Sequence, residues 1–319
     1  MNSYFQKLFL ASTLYLFLLY ALCPAQTGKN TADGSETNYG QAPPGIKPKL
    51  FAKKIVEETL SEGGCVFSND ASEIYYFIFK RNGRFVIMHS KIENGAWRPP
   101  APVSFSGRYS DVHPFFSADN SRLYFGSSRP VKENQPVPYF NLWYVERNGV
   151  QWSDPMPLGP PINTGYESCG SIGPDGALYF RRVSKTTRGD IFQSKYIDGK
   201  FSGPVKLPDS INSDYDESHP CVSPEGAYMI FSSKRPGGLN NGRDDLWISF
   251  KRADGSWTKA VNLGKEINSG HNTSIASISP DGRYLFYSST KSGRGDIYWV
   301  STKIIEKLNP KTLKKENDL

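Results

Sequence analysis

Two of the four histidines in this chain, His113 and His219, each stand two residues after an acid, Asp111 and Glu217. Both pairs recur at the same place in an internal repeat. Aligned on that repeat, one column reads Glu62, Asp111, Glu167, Glu217, Thr273, and the column two residues on reads Gly64, His113, Cys169, His219, Ile275. Carboxylates and imidazoles brought to one point can hold a divalent metal, or act as an acid/base pair on a sugar. Asp111, His113, Glu167, Glu217 and His219 are therefore the candidate ligand-binding residues, and no catalytic residue is assigned. The plain alternative is that the acid serves the repeat itself, accepting backbone N–H bonds from a neighbouring unit. Convergence on one solvent-filled point separates the two readings.

The elements that must position these residues follow from five copies of a short pattern. It reads Ser68-Asn69-Asp70, Ser117-Ala118-Asp119-Asn120, Gly173-Pro174-Asp175-Gly176, Ser223-Pro224-Glu225-Gly226 and Ser279-Pro280-Asp281-Gly282. Proline presets φ in such a turn, and glycine takes the conformation a side chain resists. An aromatic-rich strand follows each copy: Ile74–Phe77, Leu123–Phe125, Leu178–Phe180, Tyr228–Phe231 and Tyr284–Tyr287. Successive copies are 49, 56, 50 and 56 residues apart, the size of a four-stranded propeller blade with generous loops. The chain thus reads as all-β: a five-bladed β-propeller of four-stranded antiparallel blades, spanning residues 47–301.

Within a unit, the inner strand precedes the turn and the second strand follows it. The second strand is apolar on both faces because it is sandwiched between blades. Third strands begin at Asn141, Asp190, Asp245 and Asp296. Fourth strands begin at Trp97, Trp152, Phe201 and Trp257, with Pro100, Pro155 and Pro204 three residues on. Proline is tolerated there because an outer strand is an edge, and the bulky ring is expected to cover the neighbouring sheet. The last unit has three strands and no Trp-x-x-Pro strand of its own. Pro48-Lys49-Leu50-Phe51 is expected to supply the missing one and lock the ring.

Residues 8–22 form an apolar run preceded by one positive side chain, Lys7. Fifteen helical residues rise about 22 Å, short of a hydrocarbon core of about 30 Å, and small residues follow, so residues 1–25 read as a signal peptide. Residues 26–46 then read as a linker and 302–319 as a basic, loosely docked tail. Periplasmic or extracellular localisation follows, with lipidation at Cys23 disfavoured by Leu22 and Pro24. The formal charge of +7 is spread thinly, with no clustered basic face to hold nucleic acid. Cys65, Cys169 and Cys221 remain after processing, an odd and widely spaced set that reads as buried thiols, with a Cys169–Cys221 bridge the alternative. There is no phosphate loop, HExxH or GxSxG.

Ser-Pro-Asp-Gly, then Tyr-Leu-Phe-Tyr-Ser-Ser, then Arg-Gly-Asp-Ile-Tyr resembles the WD40-like PD40 repeat of bacterial exported propellers, and is similar to the TolB propeller domain. The resemblance covers about residues 48–301 and implies a fold more than a function. Such propellers include protein-docking domains and polysaccharide lyases. The expectation is a binding or scaffold module with a protein partner or glycan at the central channel mouth. The alternative is a carbohydrate-active enzyme, a metal-assisted lyase using the five candidate residues. No cofactor is expected beyond a divalent metal at that mouth, and no transmembrane span in the mature chain.

Overall fold

The computed structural model describes residues 39–51, 61–131, 140–184, 188–240 and 242–309. Residues 1–25, read from sequence as a signal peptide, residues 26–38 of the expected linker and residues 310–319 of the expected tail lie outside them. No helix among the described residues is long and apolar enough to cross a membrane.

Five antiparallel sheets form the ring of a five-bladed β-propeller. Blade 1 has its inner strand at Ser61–Phe67, followed by Glu73–Phe79 and Phe85–Glu93. The corresponding strands are Asp111–Phe116, Arg122–Ser127 and Asn141–Asn148 in blade 2, and Tyr166–Ile172, Leu178–Val183 and Asp190–Ser194 in blade 3. They are Glu217–Val222, Tyr228–Ser233 and Asp245–Phe250 in blade 4, and Thr273–Ile278, Tyr284–Ser289 and Asp296–Ser301 in blade 5. The N-terminal strand Lys49–Leu50 completes blade 5, with Lys49 opposite Trp299 and Leu50 opposite Tyr298. Phe51 continues the closure, donating its N–H to the Ile297 carbonyl at 2.8 Å.

The repeated Ser-x-Asp turn is a hydrogen-bond device. In the last copy Ser279 Oγ donates to Asp281 at 2.6 Å and accepts the N–H of Tyr284 at 2.9 Å, while Arg283 N–H donates to Asp281. Asp70 and Asp119 make the same bonds in blades 1 and 2. Gly226 holds the positive φ of +72° that the Pro-Glu-Gly copy requires.

The buried apolar residues fall into five clusters, one in each seam between adjacent blades. Strand alternation produces this. Ile74, Tyr76 and Ile78 face blade 5, while Tyr75 and Phe77 on the same strand face blade 2. The outer-strand rings reach the preceding blade as expected: Trp152 Nε1 donates to the Tyr75 hydroxyl at 3.1 Å, and Phe201 lies 6.3 Å from Tyr124 between ring centroids.

Three details differ from the sequence reading. The fourth strand is broken after its aromatic residue. Ala96–Trp97, Gln151–Trp152 and Lys200–Phe201 form short hairpin rungs, and pairing resumes at Ala101–Pro102, Met156–Pro157 and Val205–Lys206. Pro100, Pro155 and Pro204 sit in the break, where no ladder N–H is needed. Tyr39, placed by sequence in the linker, is 2 % exposed and packs on Phe67 and Tyr284 at the closing seam. The tail begins with a short helix, Lys303–Glu306, whose Ile305 is buried against the blade 4–blade 5 cluster.

Candidate functional site

Each inner strand carries a break in register just where the sequence column of histidines lies. The shifts fall between Gly63 and Cys65, Val112 and Phe115, Ser168 and Gly170, Ser218 and Cys221, and Ser274 and Ser277. At the bulge, His113, Cys169, His219 and Ile275 adopt φ of 51°, 35°, 51° and 57°. The left-handed region is costly for side-chain-bearing residues, above all β-branched Ile275, and here a bulge re-aims the side chain. All four line the axial pocket. Blade 1 has Gly64 at this position because a Cβ there would lie 2.1 Å from Ile275 Cγ2.

The two histidines meet across the axis from nonadjacent blades, Nε2 to Nε2 at 3.0 Å. One Nε2 must carry a hydrogen and the other accept it. His219 Nδ1 is 2.9 Å from Ser218 Oγ, whereas His113 Nδ1 has no hydrogen-bond partner. The assignment that leaves no orphaned donor puts the hydrogen on His113 Nε2, with His219 Nδ1–H donating to Ser218. Burial, aided by the positive charge of Arg181, pushes His113 down to about 3. Burial pushes His219 well below its ordinary value, with His113, Arg181 and Lys234 adding to it. The pair is therefore neutral at neutral pH. Cys169 sits between them in the ring, its Sγ accepting the N–H of His219 at 3.3 Å.

The three acids go elsewhere. Asp111, Glu167 and Glu217 are fully buried, each held by an arginine of its own blade: Arg129 at 2.8 Å, Arg182 at 2.9 Å and Arg235 at 3.1 Å. Serine hydroxyls and backbone N–H groups supply the remaining bonds. Asp111 accepts from Ser106 and Ser127, Glu167 from the N–H groups of Thr164 and Gly165, and Glu217 from Ser213 and Ser233. Burial raises Asp111, against the opposing pull of Arg129 and its hydrogen bonds. Each guanidinium also stacks on rings: Arg129 on Phe125 and Trp143, Arg182 on Phe180 and Phe192, Arg235 on Phe231 and Trp247. The N–H donors to Glu167 and Glu217 come from the loop leading into the same blade, not from an adjacent one. Among the described residues, no group of three or more His, Cys, Asp or Glu is placed to hold a metal ion. Two imidazoles fall short of the three protein ligands a catalytic zinc site uses.

Sequence reasoning missed the arginines. Their signal was present, since Ser127-Ser128-Arg129 and Ser233-Lys234-Arg235 repeat in phase with the acids. It also missed the ionic group on the face where inner strands begin: Arg181 to Asp216 at 2.8 Å, and Lys234 to the same carboxylate at 3.5 Å. Nearby Asp244 is raised by burial, against the pull of Lys234.

The axial pocket itself opens on the opposite, turn-bearing face. It has a volume of about 390 Å³, runs from the left-handed column to Asn69, Ala118, Pro174, Pro224 and Pro280, and is walled largely by apolar side chains such as Val66, Ile172, Val222 and Ile278. The three described cysteines are buried and unpaired beside it.

A closed ring of five blades around such a pocket defines the class: a five-bladed β-propeller. TolB from Acinetobacter baumannii matches over 78 % of this chain and 53 % of its own, at 16 % identity and a TM-score of 0.50. This chain thus spans about half the length of that protein. A putative TolB from Agrobacterium tumefaciens matches over 81 % and 89 %, at 17 % identity and a TM-score of 0.47. An α-L-arabinofuranosidase from Podospora anserina, solved with cellotriose, matches over 81 % and 94 %, at 11 % identity and a TM-score of 0.49. At these identities the likeness is one of fold. No protein-family model and no curated protein matches the chain.

Proposed function

We propose that this chain is an exported binding protein whose axial pocket takes an apolar side chain of a partner protein on the turn-bearing face. The observation that carries the reading is the pocket wall. Its side chains are mainly apolar, its inner end is a neutral imidazole pair, and no charged side chain lines it among the described residues. Such a cavity rewards burial of an apolar group at about 25 cal/mol per Å². It offers little to an acidic polysaccharide. The protein-docking role of TolB-like propellers is in keeping with this, and export rests on the apolar run at residues 8–22. A metal-assisted lyase would need Asp111, Glu167 and Glu217 free to meet substrate, and each is held by its arginine.

The test is site-specific photocrosslinking in whole cells from a benzophenone side chain at Val66, on the pocket wall. One partner band is expected, and it should vanish when Ile278→Arg fills the pocket in a chain of unchanged melting temperature. A band that survives the filled pocket overturns the axial reading. N-terminal sequencing of the exported chain checks processing, with Gln26 expected first.

A further inference from the structure

The seam between blades 5 and 1 differs from the seam between blades 3 and 4 on the face where inner strands begin. In the seam between blades 3 and 4, the corresponding space holds Arg181 paired with Asp216, with Lys234 against the same carboxylate. Strand register gives the equivalents. Glu167 lies opposite Arg182 and Thr273 opposite Ser289, so Ser288 takes the place of Arg181. Glu217 lies opposite Ser233 and Glu62 opposite Ile78, so Ser61 replaces Asp216 and Phe79 replaces Lys234. Two short hydroxyls and a ring stand where a guanidinium, a carboxylate and an ammonium fill the other seam. A groove of about 160 Å³ is left between them.

Its two walls differ in chemistry. On the blade 1 side Phe79, 43 % exposed, meets Phe85 at 4.9 Å between ring centroids, and Phe85 meets Phe77 at 5.8 Å. On the blade 5 side stand small neutral polar side chains, Asn272, Ser274 and Ser288 among them. Ser288 is 7 % exposed and its Oγ has no hydrogen-bond partner. The equivalent hydroxyl in blade 4, Ser232, accepts the N–H of Ile275 at 3.4 Å. A buried hydroxyl without a partner is uncommon and calls for an explanation. Among the described residues lining the groove, Glu62 is the sole ionisable side chain, and it is buried.

An aromatic wall facing neutral hydroxyls and an amide matches a ligand with one apolar face and a rim of hydroxyls. We propose that this groove holds a single neutral sugar residue, its C–H face on Phe79 and Phe85 and one hydroxyl bonded to Ser288. The small volume admits one ring, so a longer glycan would enter by its end or a side branch. The site is separate from the axial pocket and stands or falls without it.

The exported chain would be titrated by calorimetry and saturation-transfer NMR with the methyl glycosides of glucose, galactose, N-acetylglucosamine and arabinose, and with glucuronate as the charged control. Saturable binding of at least one neutral glycoside is expected, weakened about tenfold or more by Phe79→Ala and by Ser288→Val. Phe79 is an exposed residue, so its variant carries the test should Ser288→Val unfold. The proposal is overturned by the absence of saturable binding to every neutral glycoside. Equal affinity in Phe79→Ala, or a preference for glucuronate, overturns it as well.

Discussion

Replacing Glu217 by alanine should cost the protein much of its stability. The Glu217 carboxylate is fully buried and accepts bonds from Ser213 N at 2.9 Å, Ser213 Oγ at 2.5 Å, Ser233 Oγ at 2.7 Å and Arg235 Nη2 at 3.1 Å. Arg235 is nearly as enclosed, its side chain 12 % exposed. Burial already pulls that guanidinium below its ordinary value, and Glu217 is what counters it. Truncating the acid leaves a buried cation without its counter-charge, a loss of about 3–5 kcal/mol. For a domain of this size, that is a fall of about 6–20 °C in melting temperature. Glu217→Leu with Arg235→Met should recover most of it, since a buried ion pair replaced by apolar groups of similar volume is often neutral or better. Differential scanning fluorimetry on the three chains decides the matter. A Glu217→Ala variant within about 2 °C of the parent would refute the structural role, because that is under the scale of one kcal/mol here. It would return the acid column to consideration as a ligand site.

Further outcomes follow from the same geometry. Phe51, 1 % exposed and packed on Phe67, Phe286 and Trp299, closes the ring; Phe51→Ala should cost about 3–5 kcal/mol and expose the closing seam to limited proteolysis. Burial alone would raise Glu73, but the hydrogen-bonded guanidinium of Arg147 and the His89 imidazole 3.5 Å away outweigh it and hold the carboxyl at about 2, against an ordinary 4.5. Its contribution is thus fully present above pH 4.5 and is lost as pH falls from there towards 2, at most about 3 kcal/mol. In Glu73→Gln the acid limb of a stability–pH curve should flatten over that window; an unchanged limb counts against the ion pair. Burial pushes the thiols of Cys65 and Cys221 up to about 12. Both should resist a thiol reagent at pH 8 until the chain is denatured, and prompt reaction of the native protein would contradict their enclosure.

The sequence alone determined the architecture. Turn chemistry is local: each copy closes its hydrogen bonds within a few residues, so the spacing of the copies marks out the blades. The strands between copies carry alternating apolar residues, which need a sheet on each side. Closure was legible too, because the last unit lacks an outer strand and Lys49–Leu50 has no unit of its own. The column holding His113 and His219 was readable as a column, since in-phase repeats put equivalent residues at equivalent radii.

What that column does was decided only by the tertiary structure. His113, Cys169, His219 and Ile275 turn through a left-handed bulge, and a one-residue bulge reverses which side chains face the axis. The acids two residues earlier sit on the other side of that reversal, and there Arg129, Arg182 and Arg235 claim them. Sequence spacing treats position i and i+2 as neighbours on one face; the bulge makes them strangers. The groove between blades 5 and 1 was invisible for a related reason. Ser61 and Phe79 stand opposite each other in blade 1, while Ser288 belongs to blade 5, far along the chain. Only ring closure sets them where another seam keeps its ion pair, and the space they leave is a property of the seam.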